Sequence, residues 1–172
     1  MTDADVLFAE HRNGVFRYLC RIVGHADMAQ DLTQEVFLRV SRAGVPDRDA
    51  IVQRAWVFKI ARNLALNHLR DGRRRPESVA LTDVAGPAVQ ELAAALRQAL
   101  GGLASLDRDV FLMRESAGLS YDDISVACDL SIDAVRSRLH RARQQLREAL
   151  GGSLGEYRQR GVRIAARPRG DE

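Results

Sequence analysis

The stretch LSYDDISVACDLSIDAVRSRLHRARQQLREAL, Leu119–Leu150, decides the fold of the second half of this chain. Ser120 can cap a short first helix, and Asp123, three residues later, completes the pattern of a capping box. The Asp129–Leu130 step breaks the apolar run, and Ser131 can cap a second helix. The stretch therefore predicts two helices joined by a tight turn.

The second of these helices is strongly basic on one side. Its apolar stripe recurs at helical spacing and consists of Ile132, Val135, Leu139, Ala142 and Leu146. Polar and charged residues lie opposite the stripe, at Asp133, Ser137, His140 and Arg141, and flank that side at Arg136, Arg138 and Arg143. This arrangement is typical of a helix-turn-helix whose second helix enters the DNA major groove. An ordinary helical hairpin with a solvated basic face is the alternative.

The composition of the chain is that of an ordinary globular protein. It has 172 residues, 46% apolar and 28% charged, with a net charge of +3, which fits one domain or two small ones. Lys59 is the only lysine, and arginine suits phosphates and guanine edges, although GC-rich coding explains most of this bias. Cys20 and Cys128 lie far apart without metal-ligand neighbours, so we expect buried thiols and neither metal nor cofactor.

Two further classes of protein are not expected. The N-terminus lacks a signal pattern, and no apolar run approaches the roughly 18–20 residues that cross a membrane, so we expect a cytoplasmic chain without membrane insertion. The sequence has no nucleophile–base arrangement or phosphate-cradling loop, and the start of a helix accounts for the carboxylate pair Asp122–Asp123. We therefore expect no enzymatic activity.

Helical periodicity dominates the whole chain and predicts an all-α fold of two small helical domains. The expected helices of the first domain are Asp3–Val23, Ala26–Ser41 and Ile51–Gly72, with a loop at Arg42–Asp49. The expected divisions are a front module at 1–75, a flexible linker at 76–89, a back module at 90–150 and a basic, poorly ordered tail at 151–172. Gly151 and Gly152 are expected to end the last helix.

Two helices of the front module carry more than core residues. On the second, Asp31, Glu35 and Leu38 share a face with Gln34 and Arg39 beside them, which indicates either a solvated acidic face or a docking surface. On the third, a cationic side with neighbouring amides suits phosphates and base edges, and consists of Lys59, Arg62, Asn63, Asn67, Arg70 and Arg73. Trp56 is expected in the core, although an aromatic beside a basic helix could also flank an unstacked base.

Three motifs in order resemble one protein family. AQDLTQEVFLRV (29–40), AWVFKIARNLALNHLR (55–70) and LSYDDISVACDLSIDAVRSRLHRAR (119–143) resemble bacterial RNA polymerase sigma factors of the extracytoplasmic-function (ECF) group of the sigma-70 family. The resemblance implies a region two and a region four joined by a linker that threads the polymerase cleft.

The resemblance also implies partners and roles. Asp31, Gln34, Glu35, Leu38 and Arg39 would dock on the clamp helices of the largest subunit of core RNA polymerase. The loop 42–49 and helix 56–70 would open and read the minus-ten promoter element. The helix-turn-helix would read the minus-thirty-five element, and the helices before it would touch the flap of the second-largest subunit. An anti-sigma factor would hide the docking faces.

The chain departs from the family pattern at two places. Ala104 stands where the family usually has proline, and Asp133–Ala134 stand where Gly-Thr often precedes the recognition helix. The carboxylate of Asp133 is repelled by phosphate but can accept a hydrogen bond from a cytosine amine. A stand-alone helix-turn-helix regulator is the alternative function, although such a protein has no use for the acidic and basic helices of the front module.

Overall fold

The computed structural model describes residues 3–46, 49–71 and 87–159, with side chains described for 3–46, 49–71 and 90–151. The described ranges contain α-helices and no strands, which confirms the predicted all-α class. The helices are α1 (Asp3–Val23), α2 (Ala26–Ala43), α3 (Ala50–Asp71), α4 (Pro87–Gly101), α5 (Ser105–Glu115), α6 (Tyr121–Cys128) and α7 (Ile132–Gln159).

The front module is formed by α1, α2 and α3, which pack against one another in all three pairs. Each helix places an apolar stripe inward, and the fully buried members include Val15, Tyr18, Leu19, Val36, Val40, Val57 and Phe58. The prediction for α1 agrees with the structure at both ends, because a strong apolar period and the following Gly24, with φ of 80°, mark its limits.

The back module is formed by α4 to α7, and α7 packs against α4, α5 and α6. Four members of the apolar stripe of α7 are buried as predicted: Val135, Leu139, Ala142 and Leu146. Ile132, the first member of the stripe, is instead partly exposed at the start of the helix. This packing directs the opposite, basic side of α7 outward.

The turn between α6 and α7 has the predicted chemistry. Ser120 and Asp123 form both hydrogen bonds of a capping box at the start of α6. Asp129 ends α6 in the left-handed region with φ of 54°, a conformation that aspartate tolerates better than most residues. The Ser131 hydroxyl accepts a hydrogen bond from the Ala134 N–H, which caps α7.

Two predicted helix ends were wrong. α4 begins at Pro87 rather than near Gln90, because proline suits the first turn of a helix, where its missing N–H needs no partner. α7 continues through Gly151 and Gly152 to Gln159, so the tail does not begin at 151. Glycine weakens a helix by about 1 kcal/mol but keeps its N–H, so an established helix can continue. The rest of the linker and residues 160–172 lie outside the described residues.

Candidate nucleic-acid and polymerase interfaces

The exposed face of α7 carries most of the predicted recognition residues. Arg136, Ser137, His140 and Arg141 are exposed, and they lie on the side opposite the buried stripe. Asp133 is exposed as well, and its carboxylate accepts a hydrogen bond from Nη1 of Arg136 at 3.1 Å. The structure thus brings these five side chains to one accessible helix face, the geometry that major-groove reading needs.

Arg138 is partly buried, unlike the exposed arginines on either side of it. Its Nη1 donates to Oδ1 of Asp107 at 2.6 Å, and only 28% of its side chain is exposed. Arg141 reaches the same carboxylate more weakly, with Nε 3.4 Å from Oδ2. Asp107 is buried on α5, at 4% exposure. Burial disfavours its charge, but the hydrogen bonds from Arg138 and Arg141 outweigh this and lower the pKa of the carboxyl.

Arg143 is directed towards α5 rather than along the recognition face. Its Nη2 donates to Oε1 of Glu115 at 2.7 Å, and this hydrogen bond raises the pKa of the guanidinium. The guanidinium of Arg143 is therefore already paired within the back module, whereas that of Arg136 reaches only an exposed carboxylate.

The residues on the cationic side of α3 fall into an exposed group and a group paired with the back module. Asn63, Asn67 and Arg70 are exposed. Lys59 and Arg62 instead pair with carboxylates of the back module, with Lys59 Nζ 2.8 Å from Oδ2 of Asp129 and Arg62 Nε 2.8 Å from Oδ2 of Asp109. Arg73 lies outside the described residues, and Trp56 is half-buried against the core.

Asp109 and its second partner, Tyr18, are not among the residues predicted from the sequence. Both are buried, and the Tyr18 hydroxyl donates to Oδ1 of Asp109 at 3.3 Å. Burial raises the pKa of the Tyr18 phenol well above its ordinary value, and the nearby Asp109 charge adds to this, so the hydroxyl keeps its proton. A signal was present in the sequence, because Asp109 directly precedes Val110 and lies on the same inward side of a short amphipathic helix as Leu112 and Met113.

The candidate docking face on α2 is accessible. Asp31, Gln34, Leu38 and Arg39 are exposed, and Glu35 is half-buried. Arg39 Nε donates to Oε1 of Glu35 at 2.7 Å, one helical turn apart. Leu38 is 49% exposed and lies among these polar and charged side chains. The face therefore presents one apolar side chain together with charged and polar ones to the solvent.

The described ranges hold neither a candidate metal site nor a candidate membrane span. Within residues 3–46, 49–71 and 87–159, no three histidine, cysteine or acidic side chains are grouped so that they could hold a metal ion. None of the helices described there is both long and apolar enough to span a membrane.

The fold and its exposed faces are those of a two-module helical chain whose second module is a helix-turn-helix with an exposed face that carries arginines. Two family descriptions match this division, "Sigma-70 region 2" over residues 7–75 and "Sigma-70, region 4" over residues 93–146.

Similar proteins agree with these matches. RNA polymerase sigma-H factor of Pseudomonas aeruginosa is 32% identical, over 88% of this chain and 88% of its own length. ECF RNA polymerase sigma factor SigE of Mycolicibacterium smegmatis is 34% identical, over 92% of this chain and 66% of its own length. The chain therefore belongs to the sigma-70 family of RNA polymerase sigma factors, as its motifs predicted, and is not an enzyme.

Solved structures show the same fold. CnrH in complex with the cytosolic domain of CnrY has a TM-score of 0.68 and 25% identity, over 87% of this chain and 88% of that one. The sigma factor RpoE of Bartonella quintana, in complex with the anti-sigma factor NepR, has a TM-score of 0.62 and 20% identity, over 87% of this chain and 97% of that one.

Proposed function

We propose that this chain is an ECF-type promoter-specificity subunit, which binds core RNA polymerase, recognises the minus-thirty-five and minus-ten elements and promotes DNA melting in the cytoplasm. The observation that carries the proposal is the presence of sigma regions two and four, in that order, on one chain whose region four has an open recognition face. Each module then has a separate task in the same initiation complex.

Upstream recognition is assigned to the exposed face of α7. Arg136 and Arg141 supply guanidinium groups for guanine edges and phosphates, and Ser137 and His140 lie between them. Asp133 can accept from a cytosine amine at the start of the helix. Arg138 is a positioning residue rather than a base reader, because its guanidinium is held by the buried Asp107.

We expect Arg141→Ala to weaken promoter-specific binding of the polymerase complex by about 1–3 kcal/mol and to relax preference at the contacted base pairs. The measurement is binding to a panel of single-base-pair variants of the upstream element. Arg147→Ala is the matched control, since it removes an exposed arginine further along the same helix. Equal losses for both variants, uniform over the panel, would contradict a base-reading role for Arg141.

Downstream recognition is assigned to the basic side of α3 and the loop before it. Lys59, Arg62, Asn63, Asn67 and Arg70 supply cations for phosphates and amides for the edges of unstacked bases, and Arg73 continues this pattern in the sequence. Flipping one base out of the duplex costs only a few kcal/mol of stacking and pairing energy. Contacts of this kind with the flipped base can offset that cost.

Docking on the clamp helices of the largest polymerase subunit is assigned to Asp31, Gln34, Glu35, Leu38 and Arg39, and the flap of the second-largest subunit would contact the helices before α7. We expect Asp31→Ala combined with Glu35→Ala to weaken core binding by about 2–5 kcal/mol without loss of helix content, because charged contacts at an interface would lose one partner. The measurements are titration with core enzyme and circular dichroism.

The control for the docking variant is Glu10→Ala combined with Asp27→Ala, which removes two exposed carboxylates elsewhere on the same module. This control should bind core enzyme as the unaltered chain does. If the two double variants bind core equally well, the docking face lies elsewhere.

An anti-sigma factor is proposed as a further partner. The similar fold of RpoE, which was solved in complex with the anti-sigma factor NepR, supports this assignment. A partner that covers the face of α2 would compete directly with core polymerase for Asp31, Glu35 and Leu38.

The proposed function is tested by adding the purified chain to core polymerase that lacks any other specificity subunit, and mapping transcription starts on genomic DNA. We expect new, defined start sites that need both components. If the chain forms no stable complex with core, or binds specific promoters equally well without it, the proposal is wrong. The second outcome would instead favour the stand-alone regulator.

A further inference from the structure

The two modules meet through a row of charged contacts between α3 and the back module. Arg54 Nε lies 3.0 Å from Oδ1 of Asp123, which is fully buried and is also part of the α6 capping box. The Arg62–Asp109 and Lys59–Asp129 pairs described above follow along the same helix. Three cations of the front module thus face three carboxylates of the back module.

The middle of this contact is excluded from water. Asp109 is 2% exposed and accepts from both Tyr18 of α1 and Arg62 of α3, so front-module donors satisfy both of its carboxylate oxygens. A buried carboxylate that loses its partners is strongly destabilised, whereas exposed pairs such as Lys59–Asp129 contribute little. The strength of the contact therefore lies at the buried carboxylates of Asp109 and Asp123 rather than at the exposed Lys59–Asp129 pair.

The backbones also approach closely beside Asp109. A Cβ atom built on Gly14 of α1 would lie 3.6 Å from the carbonyl oxygen of Ala117 in the α5–α6 turn, and 3.4 Å from Cζ of Phe58. Arg17 Nε, one turn further along α1, donates to the carbonyl oxygen of Ser116 at 2.9 Å. The two distances from the Cβ atom are ordinary van der Waals distances, so a small side chain at position 14 would lie in direct contact with Ala117 of the back module.

We propose that Asp109, Asp123 and Asp129 form an acidic surface whose partner is the basic side of α3, and that this surface competes with nucleic-acid phosphates for Lys59 and Arg62. The inference rests on the proposed function, in which Lys59 and Arg62 contact promoter DNA. In this closed arrangement the two cations are neutralised, while Arg136, Ser137 and His140 of α7 stay exposed. The free chain is therefore blocked at Lys59 and Arg62 on its downstream face and open on its upstream face.

One variant tests the competition with little disturbance of the fold. Asp129→Asn removes the charge facing Lys59, and asparagine keeps the left-handed conformation that ends α6. Asp122→Asn is the matched control, because it removes an exposed carboxylate from the same helix, and no ion pair of Asp122 is found among the described residues. The probe is a short fluorescein-labelled single-stranded DNA at low ionic strength, without polymerase.

We expect Asp129→Asn to bind the probe about two- to fivefold more tightly, the range for loss of one partly exposed ion pair, and Asp122→Asn to bind as the unaltered chain does. Because Lys59 is the only lysine, acetylation of its amine measured by mass spectrometry gives a second readout at one site. The probe DNA should slow acetylation more strongly in Asp129→Asn. Equal probe binding by all three proteins, or an equal gain in both variants, would overturn the proposal.

A cross-link tests whether the modules pack this way in solution. Gly14→Cys with Ala117→Cys, in a chain whose Cys20 and Cys128 are replaced by alanine, places two thiols within reach of a disulfide. We expect rapid oxidation to a cross-linked monomer that binds the single-stranded probe several-fold less tightly than its reduced form. Failure to cross-link, or equal binding by both forms, would overturn the closed arrangement. Neither experiment uses polymerase, so a failure of this proposal can be distinguished from a failure of the proposed sigma function in the start-site test.

Discussion

Asp107→Ala is expected to lower the free energy of unfolding of the chain by about 3–5 kcal/mol, since it removes one partner of a largely buried ion pair. Arg138 would keep its charge between α5 and α7 without the carboxylate at 2.6 Å that compensates for its burial. Chemical denaturation followed by circular dichroism measures the change. Asp133→Ala is the control, because the Asp133–Arg136 pair is exposed and such pairs contribute at most about 1 kcal/mol.

The effect of Asp107→Ala should depend on pH in a defined direction. Because the pKa of Asp107 is lowered in the folded chain, its contribution to stability is present above its unfolded value, near 3.8, and is lost as the pH falls through the folded value. The difference between variant and unaltered chain should therefore be constant near neutrality and shrink only in acid. A loss no larger than that of Asp133→Ala at neutral pH would contradict the buried-pair account.

Phe58→Ala is expected to destabilise the chain by about 3–5 kcal/mol, the range for deleting a buried aromatic side chain and leaving a cavity. Phe58 is 1% exposed, and its ring meets that of Tyr18 edge-on at 6.1 Å between centroids. The same denaturation experiment measures the loss. Ile51→Ala, which shortens an exposed apolar side chain on the same helix, should cost well under half as much.

The Phe58 variant has a second expected consequence. Tyr18 is held against Phe58 and donates to Asp109, so a cavity beneath Tyr18 should loosen the contact between the modules as well as the front core. Acetylation of Lys59 should then be faster than in the unaltered chain under conditions where both remain folded. If Phe58→Ala loses no more stability than Ile51→Ala, the packing described for α1 and α3 is wrong.

The local structure of the helix-turn-helix could be predicted because its signals act over three or four residues. Ser120 and Asp123 cap one helix end, and Ser131 caps the next, through hydrogen bonds that any chain with these side chains at this spacing can form. The apolar stripe of α7 likewise follows from helical geometry alone. Helix ends without such a signal are harder to predict, as the continuation of α7 through Gly151 and Gly152 shows.

The candidate interfaces could be predicted only in part. Periodicity identified the exposed faces of α2 and α7, since a residue opposite a buried stripe faces outward. It could not distinguish Arg138 from Arg141, because neighbouring arginines on a helix look equivalent until the packing of α5 determines which one lies closer to the Asp107 carboxylate. Periodicity therefore predicts a base contact for Arg138 and gives no sign of its pairing with Asp107.

Periodicity, caps and motifs are properties of short segments, so the all-α class, the order of the two modules and the sigma-70 family could be predicted from the residues alone. Which charges meet depends on how the helices pack. Asp109 pairs with a residue 47 positions away, and Asp129 with one 70 positions away. No local rule specifies such pairs, because ion pairing depends on which faces the packed helices bring within a few ångströms, and water screens charges that packing leaves apart.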